Sequence, residues 1–312
     1  MRSAGAIAIL ISLAAAVTAA AQTGASAQAS APQAPVFRAG ADVVSVEASV
    51  RRDRRPVVGL KADDFELLDN GVPQQIVDVN HEKLPIDVTV LLDVSASVTG
   101  AALDELRRGL RELRADLGAA DRLRLVTFNM SMRRVVDFTE PASTIDRALA
   151  AVGGAGSSAV FDSLAVALTA PVPQGRRQLI VLFSDGQDSS SITDAETLLD
   201  VARRTTPTVA VVLTSTARQR PASLLLTATK LGSATVGEIA DQIAGETGGF
   251  VASIEAGDSL TSTFRRVLNQ FRSSYVLFFT PTGVPRQGSH TLEVRVKRAK
   301  VDVRARRGYV WR

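Results

Sequence analysis

Apolar residues are spaced in three different ways along this 312-residue chain. Val43, Val44, Val46 and Val50 are interrupted by polar residues and predict a strand over Ala41–Arg51, buried on one face. Phe65–Leu68 predicts a second strand. Asn70-Gly71 has the residues a tight hairpin turn requires, and Gln74–Val79 reads as the return strand. From Ile86 the pattern changes. Ile86–Leu92 and Gln178–Phe183 are nearly unbroken apolar runs, as strands covered on both faces are, and Arg122–Phe128, Thr208–Leu213 and Phe250–Ile254 read as further strands. Met132–Phe138 reads as a hairpin partner beside Arg122–Phe128. Between the strands, Leu103, Leu106, Leu110, Leu113 and Leu117 recur every three or four residues and predict an amphipathic helix over Thr99–Leu117. Further helices are expected at Ile145–Val152, Val160–Leu168, Thr193–Arg204 with Thr193 and Asp194 as capping residues, Val236–Ala244 and Leu260–Phe271. The tail returns to strands, at Ser274–Thr280, Thr291–Val296 and Val303–Trp311, separated by Pro and Gly turns.

Strands alternating with helices predict an α/β fold, a doubly wound and mainly parallel sheet spanning about 85–273. The flanks, 36–84 and 274–312, are each too short to build a stable core alone. They are therefore expected to pair into a small β-sandwich-like domain, with the α/β domain inserted between them. At the N-terminus Arg2, the apolar run Ala4–Val17 and the small residues up to Ala21 read as a signal peptide, 1–21. Residues 22–35 are Ala, Ser, Gln, Gly, Thr and Pro and read as a flexible linker. The chain is thus expected to be exported, with no membrane span after signal cleavage.

Composition narrows the chemistry. The hydrophobic fraction of 46% is enough for a sizeable core. A net charge of +4, with arginines scattered along the chain, gives no nucleic-acid footprint, and 4% aromatics are too few for a stacking platform. With no cysteine there is no disulfide, iron–sulfur cluster, thiolate zinc or cysteine nucleophile. The two histidines, His81 and His290, read as surface or hydrogen-bonded structural residues, which leaves general-base catalysis without an obvious agent. Arg51, Arg52, Arg54 and Arg55 read as a solvated basic turn.

In doubly wound sheets ligands sit beyond the C-terminal ends of the strands. Asp93-Val94-Ser95-Ala96-Ser97 follows the first buried strand and Ser184-Asp185-Gly186 follows Phe183, with a glycine-rich loop, Gly153–Ser158, between them. If these loops converge they offer two carboxylates and several hydroxyls, an all-oxygen set suited to Mg²⁺, Mn²⁺ or Ca²⁺. Hydroxyls leave a cation poorly neutralised, so it can still attract an external carboxylate. The glycine-rich loop lacks the Lys of a phosphate-binding loop, and neither G-x-G-x-x-G nor G-x-S-x-G is present. Asp162 reads as a helix-start residue and Asp188 as a solvated loop acid. Thr214–Ala234 reads either as a short packed helix or as a specificity loop on the same edge.

Asp93-x-Ser95-x-Ser97, a hydroxyl residue in the glycine-rich loop and Asp185-Gly186 together resemble the metal-ion-dependent adhesion site of von Willebrand factor A (VWA) domains. The resemblance extends to a bacterial VWFA-related family of acidobacterial type through LKADDFELLDNGVPQQI (Leu60–Ile76), AVFDSL (Ala159–Leu164) and RARRGYVW (Arg304–Trp311). It implies a metal site in which Ser95 and Ser97 ligate directly and Asp93 and Asp185 act directly or through water. Ser158 stands where the family usually has Thr, with Ser157 as the alternative register. It further implies Mg²⁺ or Mn²⁺ as the cofactor and a periplasmic or secreted binding protein, not an enzyme. The implied partner is a protein presenting an acidic side chain. A metal-independent envelope scaffold and a metal-dependent hydrolase are the alternatives.

Overall fold

Val46, Ala48 and Val50 alternate with Glu47, Ser49 and Arg51 along β1 (Val44–Arg52), which gives the strand one apolar face. The structure, a computed structural model, describes residues 43–53, 55–81, 84–95, 101–138, 143–150, 154–184, 187–214, 217–222, 234–254, 258–297 and 300–311. The expected signal peptide and linker lie outside these residues. Among the described residues no helix is long and apolar enough to cross a membrane. The N-terminal flank continues through β2 (Arg55–Pro56), β3 (Phe65–Asp69), β4 (Val72–Gln74) and β5 (Ile76–His81).

The α/β part then runs β6 (Ile86–Asp93), α1 (Ala101–Ala115), β7 (Arg122–Phe128), β8 (Met132–Val136), α2 (Ser143–Ala150), α3 (Val160–Leu168), β9 (Arg177–Phe183), α4 (Ala195–Arg204), β10 (Thr208–Thr214), α5 (Val236–Thr247), β11 (Phe250–Ile254) and α6 (Leu260–Arg272). Its strands form one sheet in the order β11-β10-β9-β6-β7-β8, parallel except for β8. Val88, Val90 and Leu92 of β6 point into a core with Leu106 and Leu110 of α1 and Phe264 and Phe271 of α6. Leu91 points the other way, among Phe161 and Leu164 of α3, Leu198 of α4 and Ile239 of α5. Both faces are covered, which is why β6 carries almost no polar residue between its terminal aspartates.

The tail contributes β12 (Tyr275–Phe279), β13 (Gly288–Val296), β14 (Asp302–Ala305) and β15 (Gly308–Trp311). Strands from the two flanks alternate in one remaining sheet, β14-β1-β12-β5 with β2 beside β1, and join at the β13–β3 pair in the other, β15-β13-β3-β4. The two sheets share a core of Val46, Val50, Phe65, Leu67, Tyr275, Leu277, Phe279, Leu292, Val294 and Tyr309. The fold class is therefore a doubly wound α/β sheet inserted in a β-sandwich built from both flanks.

Two strand expectations are corrected. The return strand expected over Gln74–Val79 is divided between sheets: β4 pairs with β3, whereas β5 pairs with β12. Gln74 fixes the corner, its Nε2 donating to the carbonyls of Val72 and Thr282 and its Oε1 accepting from the Thr282 amide. The last strand is also broken. Arg306 is buried and turns its guanidinium onto the carbonyls of Thr205 at 2.5 Å and Ala202 at 3.3 Å, so it covers the C-terminal end of α4. That placement suits a cation, because helix C-termini carry partial negative charge and unpaired carbonyls.

Asp69 is the polar centre of the sandwich core, and of its partner His290 only Nδ1 is hydrogen-bonded, Nε2 being buried without a partner among the described residues. His290 Nδ1 lies 2.7 Å from Asp69 Oδ1, and the Tyr309 hydroxyl donates to Asp69 Oδ2 at 2.7 Å. His290 is thus a buried structural residue, while the side chain of His81 lies outside the described residues.

Candidate functional site

The strand order reverses at β6. The chain goes from β6 outward to β7 and β8 on one side, then returns to β9 and proceeds through β10 and β11 on the other. A crevice opens at such a reversal, beyond the C-terminal ends of the strands. Asp93 is the last residue of β6, and Ser184 follows the last residue of β9.

Asp93 is 1% exposed, and its carboxylate collects three donors. Ser158 Oγ lies 2.9 and 3.1 Å from its two oxygens, Ser184 Oγ donates at 2.6 Å and the Ser95 amide at 2.9 Å. Ser95 and Ser158 are themselves buried, at 6% and 5% exposure. The structure thus brings together Asp93, Ser95 and Ser158. Ser97 and Asp185 lie outside the described residues, and Ser157 is exposed. Ser184 is a participant the sequence reading did not single out; its place directly after a buried strand, ahead of Asp185, was the available signal.

Backbone hydrogen bonds hold the loops together. The Ala155 amide donates to Val94 O, the Ala159 amide to Asn129 O, and the Ser189 amide to Ser158 O. In return the Ser158 amide donates to Ser189 Oγ at 2.9 Å. The segment 220–222 abuts the same edge, since the Asp188 amide donates to Ala222 O. Of the expected insertion Thr214–Ala234, residues 215–216 and 223–233 lie outside the described residues, and Ala217–Gln219 forms a single 3₁₀ turn.

Asp188 is a correction. It is not a solvated loop acid: it is 1% exposed and serves the N-terminus of α3. Ala159 stands at the N-cap with no side chain able to accept, and Asp188 Oδ1 accepts instead from the Val160 amide at 2.8 Å and from Ser191 Oγ at 2.6 Å. Burial pushes the Asp188 carboxyl above its ordinary value, outweighing the hydrogen bonds from Ser191 and from the amides of Phe161, Val160 and Ser191. Asp162 lies in the first turn of α3. Burial raises its carboxyl, but hydrogen bonds from Thr193 and the Ile192 amide outweigh it and hold it below the ordinary range. Asp188→Ala is expected to cost about 2 kcal/mol in urea unfolding, because it strands buried amide and hydroxyl donors. Asp188→Asn keeps an acceptor and should recover most of that loss.

Among the described residues no group of three or more His, Cys, Asp or Glu is placed to hold a metal; the described donors here are one carboxylate and several hydroxyls. That set still fits a hard cation, for a reason the rest of the fold supplies. Asp87, at the opposite end of β6, is 0% exposed and is met by Arg122 and Arg176. Buried Asp69 faces His290, and Glu47 faces Arg177. Among the described residues no cationic side chain contacts Asp93, although a buried carboxylate without a counter-charge is costly. Met130 is 69% exposed beside Gly156 of the glycine-rich loop, and Ile192 is 97% exposed next to Ser191, so apolar side chains flank these loops.

Residues 87–266 match the family model of the von Willebrand factor type A domain. A curated relative, E3 ubiquitin-protein ligase WAV3 of Arabidopsis thaliana, is 30% identical over 132 residues, 39% of this chain. The chain spans only 17% of that relative's length. Similar solved structures include an aerotolerance-related membrane protein of Bacteroides fragilis, with TM-score 0.45, 17% identity, and 60% of this chain and 98% of that one covered. A von Willebrand factor type A protein of Catenulispora acidiphila has TM-score 0.47 at 12% identity, covering 88% and 75%. Proximal thread matrix protein 1 of the mussel byssus, solved with a zinc-occupied MIDAS motif, has TM-score 0.46 at 13% identity, covering 64% and 48%.

Proposed function

The chain belongs to the von Willebrand factor type A domain family, and from that premise we propose that it is an exported protein that binds a protein partner through a divalent cation. Mg²⁺ or Mn²⁺ would be held by Asp93, Ser95, Ser97, Ser158 and Asp185. The bound cation would supply a positive point that an acidic side chain of the partner meets.

One observation carries the reading: Asp93 is buried at the switch point with hydroxyl and amide partners but no cationic side chain among the described residues. Its counterpart at the other end of the same strand has two arginines. A hard cation supplies the missing charge at Asp93. Serine oxygens add donors without adding negative charge, so attraction for an incoming carboxylate remains. Exposed Met130 and Ile192 would give the partner apolar contact beside that polar centre. The described part of the site offers no imidazole, which favours binding over hydrolysis.

The test is calorimetric titration of Mg²⁺ and Mn²⁺ into the chelator-stripped full chain and into Asp93→Ala. The parent should bind, and the variant should bind about 100-fold more weakly or not at all, since even outer-shell changes cost about 10–100-fold. Acetate, standing for the partner's carboxylate, should tighten Mn²⁺ binding to the parent, because coupling between two ligands is reciprocal. Absence of metal binding in the parent would overturn the reading in favour of a metal-independent scaffold.

A further inference from the structure

The opposite edge of the α/β sheet carries a second feature that the metal reading does not use. Phe250 begins β11, and beside it lies a cleft of about 270 Å³ between the C-terminal turns of α5 and strand β14. Arg304 and Arg307 line it, together with Asp241, Gly245 and Val251. In the register of β1 against β14, Arg304 opposes Ser49 and Arg51 opposes Asp302, so Arg51 and Arg304 share one face of that sheet.

The charges there are unequal. Asp241 is engaged by Arg218 at 2.6 Å, and nearby Glu246 by Arg203 at 3.2 Å. Asp302 is exposed, on the same face as Arg51 and Arg304. The guanidinium groups of Arg304 and Arg307 have no acidic or hydrogen-bonding partner among the described residues. Burial and the charge of Arg304 push Arg51 below the ordinary guanidinium value, as expected where like charges are crowded.

Arg307 is also seated. Its amide donates to Gly245 O at 3.1 Å, and its guanidinium lies against Gly245 so closely that a Cβ there would stand 2.8 Å from Cζ. Glycine inside a helix costs about 1 kcal/mol relative to alanine. At position 245 it leaves the space that the guanidinium occupies.

We propose that this cleft is an anion site that takes a phosphate group, gripped by Arg304 and Arg307 with Arg51 adding to the positive field. Guanidinium forks present paired N–H donors that match phosphate oxygens, and a dianion answers several arginines better than a single carboxylate does. The phosphate is either the free ion or an ester on a larger molecule. The site is independent of the cation at Asp93, which belongs to the other edge of the sheet.

The experiment is calorimetric titration of inorganic phosphate, and separately of glycerol 3-phosphate, into the full chain at low salt with chelator present. The parent should bind, and Arg304→Ala and Arg307→Ala should each weaken binding about tenfold, the loss typical of a charged hydrogen bond. Arg307→Lys should remain weakened because it keeps the charge and loses the fork. Gly245→Ala should weaken binding by displacing the guanidinium without removing any charge, and Asp93→Ala should bind as the parent does. Tighter binding of the ester assigns the site to a carried phosphate, and equal binding to the free ion. Arg304 and Arg307 are both exposed, so these variants should fold, which their melting temperatures check. No binding of either probe to the parent, or binding unchanged when both arginines are replaced by alanine, would overturn the proposal.

Discussion

Asp87→Ala is expected to cost about 3 kcal/mol in urea unfolding, whereas Asp93→Ala, six residues along the same strand, should cost at most about 1–2 kcal/mol in chelator. Asp87 accepts from Arg122 at 2.7 and 2.5 Å, from Arg176 at 2.6 Å and from Gln178 at 2.9 Å. Removing it strands two guanidinium groups, and breaking a buried pair in this way costs about 3–5 kcal/mol. The low end applies because the Arg122 side chain is 33% exposed and can turn to water. Removing Asp93 instead deletes a buried charge that lacks a counter-charge among the described residues, and the loss is limited to the hydrogen bonds of Ser158, Ser184 and the Ser95 amide. Asp87 should also shape the acid limb of stability. Burial raises its carboxyl, but the hydrogen bonds from Arg122, Arg176 and Gln178 and the charge of Arg176 outweigh it and hold the group below its ordinary value. A depressed carboxyl contributes fully above its unfolded pKa, and that contribution is lost as pH falls through the folded value. Below about pH 4 the gap between parent and Asp87→Ala should therefore narrow. A gap that is constant down to pH 2 would contradict this account.

Gly249→Ala should cost at least about 3 kcal/mol and lower the melting temperature by roughly 6–12 °C, at the top of the usual overpacking range. A Cβ on Gly249 would stand 1.9 Å from the carbonyl oxygen of Val209 and 2.7 Å from its carbonyl carbon. Both are backbone atoms of β10, which is held by ladders to β9 and β11, so neither can yield without loss of sheet hydrogen bonds. Gly245→Ala, four residues earlier, is the control. Its Cβ would meet only the movable end of Arg307, and alanine suits a helix better, so it should be neutral or stabilising by up to about 1 kcal/mol. Thermal unfolding of the two variants side by side separates a backbone collision from a side-chain one. Equal melting temperatures would refute the distinction.

The parts of the fold written in local pattern were legible in the sequence. The helix Val160–Leu168 and the strand Phe250–Ile254 have the limits that spacing alone predicts, and β6 and β9 announce a two-faced sheet by their unbroken apolar runs. That Asp93, Ser95 and Ser158 come together was legible because loops after buried strands, and the loop between them, gather at one edge of such a sheet. The role of Asp188 was not. Gln187-Asp188-Ser189-Ser190-Ser191 looks solvated by composition, and only the docking of that loop against α3 makes its aspartate a buried cap. Ser184 was legible as part of a converging loop, but not as a donor to Asp93, because which hydroxyl of the loop meets the carboxylate is set by tertiary packing.

By itself the sequence determined the alternation of strands and helices, the separate texture of the two flanks and the oxygen-rich, cysteine-free chemistry at the ends of the buried strands. These follow from side-chain periodicity and residue type, which act over a few positions. The tertiary structure alone decided how Gln74 divides a strand between two sheets and where Arg306 finds the carbonyls of α4. It also decided that one aspartate of β6 meets two arginines while the other meets only hydroxyls and an amide among the described residues. Those outcomes depend on which distant groups share a buried volume, and charge pairing and hydrogen-bond satisfaction are settled there.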